Sequence, residues 1–78
     1  MKPVEVTVKE NYKLLIRFDN SEIRIFDVLP YISGSFYGKL ASPQYFNSVH
    51  ISGNTVEWAD GQDIAPHELR EMSVPVNS

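Results

Sequence analysis

Val4, Val6 and Val8 alternate with Glu5, Thr7 and Lys9 at the start of the chain, the period-two pattern of a half-buried strand. Glu10-Asn11 then supplies turn chemistry, because asparagine tolerates the left-handed backbone that a tight turn asks for. A second strand follows with Tyr12, Leu14, Ile16 and Phe18 facing inward. Aligning the apolar faces pairs Val8 with Leu14, Val6 with Ile16 and Val4 with Phe18, a register that needs a loop of at least three residues.

Asp19-Asn20 separates the second strand from a third, and read as a two-residue loop it favours a primed hairpin turn. Counting outward, Ile16 then faces Ile23 and Leu14 faces Ile25 in the core, while Arg17 opposes Glu22 on the other face as a cross-strand ion pair. Leu15 and Phe26 fall on that outer face, among Lys13, Arg17, Glu22 and Arg24. Two large apolar residues there are either covered by later chain, such as a final helix, or offered to a partner.

Period two is lost in residues 27–47, where Pro30, Gly34, Gly38 and Pro43 break the chain into short pieces that still carry apolar side chains. Residues 29–32 read as a helical turn stopped by Gly34, and Ser42-Pro43 as an N-cap with proline at the first helical position. The second hairpin is plainer. Gly53-Asn54 lies between two alternating runs, glycine suits the first central position of a type II′ turn, and counting pairs Ile51 with Val56, Val49 with Trp58 and His50 with Glu57. Asp60-Gly61 makes a further turn. Pro66 opens a short helix through Met72 that directs Ile64, Leu69 and Met72 to the sheet, and residues 74–78 are expected to fray. The expected fold is α+β: an antiparallel three-stranded meander plus a second β-hairpin, with short helices in the connector and at the C-terminus. All 78 residues are expected to form a single domain.

Composition narrows the function classes. There is no cysteine, which removes disulfides and thiolate metal sites as supports for a small core. No apolar run resembles a signal peptide or a membrane span, so the expected location is the cytoplasm, without membrane contact. The net charge of -3 is uneven: residues 1–40 carry +1 and residues 41–78 carry -4, with no basic cluster anywhere. Direct nucleic-acid binding is therefore not expected, since it requires a basic face to neutralise phosphates. The nine aromatic residues lack interleaved bases and read as core rather than as stacking platforms.

Catalytic chemistry finds little support. Asp60 and Asp63 beside Gly61 form an acidic loop, but the spacing lacks the further acids and terminal glutamate of a calcium loop. Asp63 reads instead as a residue that starts the final segment by accepting backbone N–H bonds. His50 reads as the cross-strand partner of Glu57 and His67 as a solvated helix residue. A triad is a matter of geometry that an inventory of serines, histidines and acids does not supply. The dispersed glycines make no phosphate loop. No catalytic residue, metal or cofactor is expected. The candidate partner surface is Leu15 and Phe26 together with Tyr37 and Tyr45, serving a protein partner or a homo-oligomer. A shared small-molecule or catalytic site around Asp60, Asp63 and His67 in a homo-oligomer is the alternative.

The chain also resembles the bacterial domain of unknown function 2442 family over nearly its whole length. The likeness rests on residues 12–20, on Phe26-Asp27-Val28-Leu29-Pro30, on residues 36–40, on Phe46, and most specifically on Val56-Glu57-Trp58-Ala59-Asp60-Gly61-Gln62-Asp63-Ile64-Ala65-Pro66. Asn20 departs from the glycine common in the family but can occupy the same left-handed position. The resemblance implies a small α+β domain with no established activity and no catalytic residues to carry over. It also implies kinship with proteins that join this domain to a helix-turn-helix, for which 78 residues leave no room, or that neighbour a second small protein as toxin–antitoxin partners do.

Overall fold

The computed structural model describes residues 2–32 and 38–76. Among these residues six strands, β1 (Pro3–Lys9), β2 (Lys13–Phe18), β3 (Ile23–Asp27), β4 (His50–Ser52), β5 (Thr55–Glu57) and β6 (Val74–Pro75), are accompanied by two short α-helices, α1 (Pro43–Phe46) and α2 (Pro66–Met72). Leu29–Tyr31 and Gly38–Ala41 form 3-10 turns. The strands make an antiparallel four-stranded sheet in the order β1-β2-β3-β6 and a separate hairpin, β4-β5, lying alongside β1. The α+β class, the meander, the second hairpin and the short helices stand as the sequence implied.

The β1–β2 register pairs Val6 with Ile16 and Val8 with Leu14 across a three-residue loop, as the apolar alternation required. Val4 does not meet Phe18. The register shifts between Pro3 and Glu5, so that Pro3 pairs with Phe18 and is buried, whereas Val4 is bulged out and 40% exposed. In the loop, Asn11 and Tyr12 both adopt φ 60°. That backbone is strained for a tyrosine, and three anchors hold it. The Tyr12 hydroxyl donates to the Ala41 carbonyl at 2.5 Å, its carbonyl accepts from the Val28 N–H at 2.9 Å, and its ring meets Phe46 edge-on at 5.3 Å.

The β2–β3 register is one residue away from the two-residue-loop reading. Leu14 pairs with Phe26, Leu15 with Ile25, Ile16 with Arg24 and Arg17 with Ile23. The reason lies in the turn. Ser21 takes φ 72° and joins Asp19-Asn20 in the loop, its N–H bonding the Phe18 carbonyl at 3.0 Å while the Phe18 N–H reaches Glu22 at 2.8 Å. Because side chains alternate, a one-residue slip moves every β3 side chain to the opposite face. Phe26 and Val28 therefore enter the core, fully buried, and Ile23 and Ile25 face outward. Arg17 accordingly pairs not with Glu22 but with Glu5 across β1, at 3.2 Å.

The slip also turns Arg24 toward the core side, where a bare cation would be costly. Its guanidinium is satisfied by Glu22 at 2.8 Å and by the carbonyls of Ser73 at 3.1 Å and Arg70 at 3.4 Å. Arg24 thus binds the last carbonyls of α2, groups that a helix end leaves without backbone partners. The contact pins the helix to β3. Leu69 of α2 is fully buried with Ile64, as expected, but Met72 is 62% exposed and points away from the core.

Residues 74–76 extend the sheet rather than fray. Val74 pairs with Ile25, Pro75 with Arg24, and the Val76 N–H reaches the Ile23 carbonyl at 2.9 Å. The core lies between the inner face of the sheet and the remaining elements. Leu14, Ile16, Phe18, Phe26 and Val28 pack from the first side, and Leu40, Phe46, Val56, Trp58, Ile64 and Leu69 from the other.

Candidate functional site

The second hairpin fits its expected register, with His50 opposite Glu57, Ile51 opposite Val56 and Ser52 opposite Thr55. Gly53 takes φ 57°, the positive value that a glycine-first hairpin turn demands. The ladder ends at His50 and Glu57, so Val49 and Trp58 pack at the core without being ladder partners. His50 Nε2 lies 3.2 Å from Glu57 Oε1, an exposed cross-strand pair. His67 is exposed on α2, and among the described residues no group of three histidines or acids is placed to hold a metal ion.

The acidic loop is locked into the architecture. Gly61 takes φ 89°, its N–H reaches the Trp58 carbonyl at 2.9 Å, and the Trp58 N–H reaches Gln62 at 2.8 Å. The Tyr45 hydroxyl donates to Gln62 Oε1 at 2.6 Å and accepts the Asp60 N–H at 2.9 Å. Ser48 accepts the Ala59 N–H at 3.2 Å, and the Trp58 indole donates to the Phe46 carbonyl at 3.0 Å. Trp58 and Gln62 are both buried. The Asp63 backbone bridges to Glu57, while the cap position of α2 is Ala65, with no side-chain cap. Tyr45 is therefore half-buried and committed to clamping this turn on α1, a role that the spacing from Tyr45 to Gln62 did not announce.

Of the other expected surface residues, Tyr37 lies outside the described residues. Phe26 is fully buried in the core and not on the outer face, because the three-residue turn sets the slipped register. Leu15 keeps its place: it sits on the outer face between Thr7 and Ile25. What replaces Phe26 is a larger apolar surface, since Ile23 and Ile25 of β3 lie beside Val76 and Val74 at the β6 end. Ile23 and Val76 are each 42% exposed and Val74 is 64% exposed. A groove of about 420 Å³ runs along this end, between Lys13, Ile25 and Asp27 on one side and Met72, Val74 and Val76 on the other.

The final helix touches that face only through Met72 at the groove's edge, because Leu69 joins the core and Arg24 binds the helix end on the core side. The outer face is polar toward β1, with Glu5, Thr7 and Lys9, and apolar toward β6. The alternation of Val74 and Val76 around Pro75 was the sequence signal for the missing strand.

The model of a family described as protein of unknown function, DUF2442, matches residues 3–75. The chain belongs to this family. The match covers both hairpins, the connector and α2, as the resemblance implied. No curated protein and no solved structure matches the chain. In this DUF2442 member the most specific stretch of the resemblance, Trp58 to Ile64, is occupied by structural hydrogen bonds and core packing. No helix among the described residues is long and apolar enough to cross a membrane.

Proposed function

We propose that this chain is a protein-binding module without catalytic activity of its own, acting in the bacterial cytoplasm as the regulatory or antitoxin-like partner of another small protein. The observation that carries this reading is the apolar outer face formed by Leu15, Ile23, Ile25, Val74 and Val76, which no element among the described residues covers. A contiguous exposed apolar surface rimmed by polar groups is the usual mark of an interaction site. Polar side chains near the acidic loop and the helix end support structure: Tyr45 and Gln62 bond each other in the turn, and Arg24 binds the end of α2.

The test is co-purification at endogenous levels of the wild-type chain and of Ile25→Glu. The reading expects a stoichiometric small protein with the wild type and its loss with the variant, both chains giving the same circular dichroism spectrum. Equal recovery of the same protein with both chains would place the interaction elsewhere.

A further inference from the structure

We infer, on the protein-binding reading of the outer sheet face, that its occupant is an amphipathic helix of the partner whose apolar stripe is flanked by acidic side chains. The ladders arrange the face in rows that run across the strands. Lys9, Lys13 and Asp27 make the first row, Thr7, Leu15, Ile25 and Val74 the second, and Glu5, Arg17, Ile23 and Val76 the third. The second row is apolar from β2 onward, and the first sets charge beside it.

Leu15, Ile25 and Val74 stand on three adjacent strands, so they span about 10 Å at the usual strand spacing of about 4.8 Å. Two turns of an α-helix rise about 11 Å, which brings residues i, i+4 and i+7 of a crossing helix over these three side chains. Met72 lines the groove beside Val74, and its flexible thioether gives that end an adaptable lip.

Charge selects the helix. Lys9 and Lys13 are direct cross-strand neighbours of like charge, an arrangement that costs the free chain stability. Among the described residues neither takes part in an ion pair. The nearby acids are Glu5, held by Arg17 at 3.2 Å, Asp27, which accepts the Leu29 N–H at 3.0 Å, and Glu10 in the turn, and none of them pairs with either lysine. With Lys9, Lys13 and Arg17 against Glu5 and Asp27, the face carries +1 on a chain of net charge -3. A carboxylate set down between Lys9 and Lys13 replaces their repulsion with two attractions, whereas a basic flank adds a third like charge.

Neither edge of the sheet offers these rows to an added strand. At β6 the Val76 N–H bonds β3, so Pro75 turns its backbone outward and has no N–H to give. At β1 the phase follows from β2, where Phe18 and Tyr12 bond β3 and the odd-numbered residues therefore bond β1. Val6 and Val8 thus turn their backbone groups to the far side of β1, where the β4-β5 hairpin lies alongside. A strand added there would border Glu5, Thr7 and Lys9 and leave Ile25 and Val74 bare.

The probes are two side-chain-crosslinked helical peptides of about four turns that share one apolar stripe and differ only in an acidic or a basic flank. They are titrated into the isotope-labelled full chain at low ionic strength, where surface charges are least screened. The acidic peptide is expected to shift amides of β2, β3 and β6 to saturation and to bind at least about tenfold more tightly than its basic twin. Lys9→Glu with Lys13→Glu reverses that preference, its amide spectrum showing that the variant is folded. Equal or tighter binding of the basic peptide to the wild-type chain, shifts at another surface, or no saturable binding of the acidic peptide overturns the proposal whether or not the variant folds. If Ile25→Glu still loses the co-purified small protein after such a result, only the acidic helix is withdrawn and the docking face stands.

Discussion

The two faces of the four-stranded sheet are cut from the same two central strands, yet they do opposite work. On the inner face Leu14, Ile16, Phe18 and Phe26 are fully buried. On the outer face their immediate neighbours, Leu15, Ile23 and Ile25, are half-buried or exposed. Both sets are apolar, so hydrophobicity alone does not decide which face is the core. The turn does. Ser21 in the left-handed region sets the phase of β3, and the phase sends Phe26 inward and leaves the isoleucines outside. A chain that spends three large aliphatic residues outside its own core has material for a contact with something else.

Phe26→Ala sharpens this contrast most. Its ring is fully buried and packs 5.5 Å from Tyr31, so truncation should destabilise the chain by about 3–5 kcal/mol in denaturant unfolding. Ile23→Thr, three residues away on the other face, should change stability by no more than about 0.5 kcal/mol. Comparable losses for the two would erase the difference between the faces.

The turn is the next place to press. Ser21→Gly should raise stability by about 1 kcal/mol, because glycine occupies φ 72° without the Cβ penalty. If the two-residue turn governed instead, Ser21 would be an ordinary strand residue and glycine there would destabilise. The smallest effect concerns pH. Hydrogen bonds from Arg24, then from Asn20, hold the Glu22 carboxyl below its ordinary value. A group depressed in the folded state contributes stability above the usual carboxylate range and loses it as pH falls through the depressed value. Glu22→Gln should therefore lower stability slightly in the neutral region, where that contribution is present, and flatten the acid limb over which the wild type loses it. An unaltered acid limb would remove Glu22 from the account.

Much of the fold was legible, and the reasons are local. At Gly53-Asn54 turn chemistry and alternation agree, and the register follows. Pro43 and Pro66 open their helices for the same reason that proline suits a first turn. The β2–β3 register was not legible by counting, because Ile23 and Ile25 offer one apolar phase and Phe26 and Val28 the other. The decision depended on a serine adopting φ 72°, which residue type alone does not declare. Arg24 faces the core side only because the end of α2, far along the chain, supplies acceptors. The same distance obscured β6, where the brief alternation of Val74 and Val76 becomes a strand by pairing with β3.

The candidate site divides in the same way. Leu15 could be placed from β2 alone, whose alternation is unambiguous. Phe26 could not be placed without the turn, and Tyr45 acquires its role through Gln62 and Asp60, partners that only the folded chain brings near.

The central claim is the assignment of faces, and the absence of cysteine makes it directly measurable. Ile23→Cys and Phe26→Cys each carry a unique thiol, whose rate of alkylation under native, dilute conditions reports its exposure. The account predicts rapid labelling at position 23 and protection at position 26, with both reacting alike once unfolded in denaturant. Protection at 23 with rapid labelling at 26 would restore the other register and return Phe26 to the outer face.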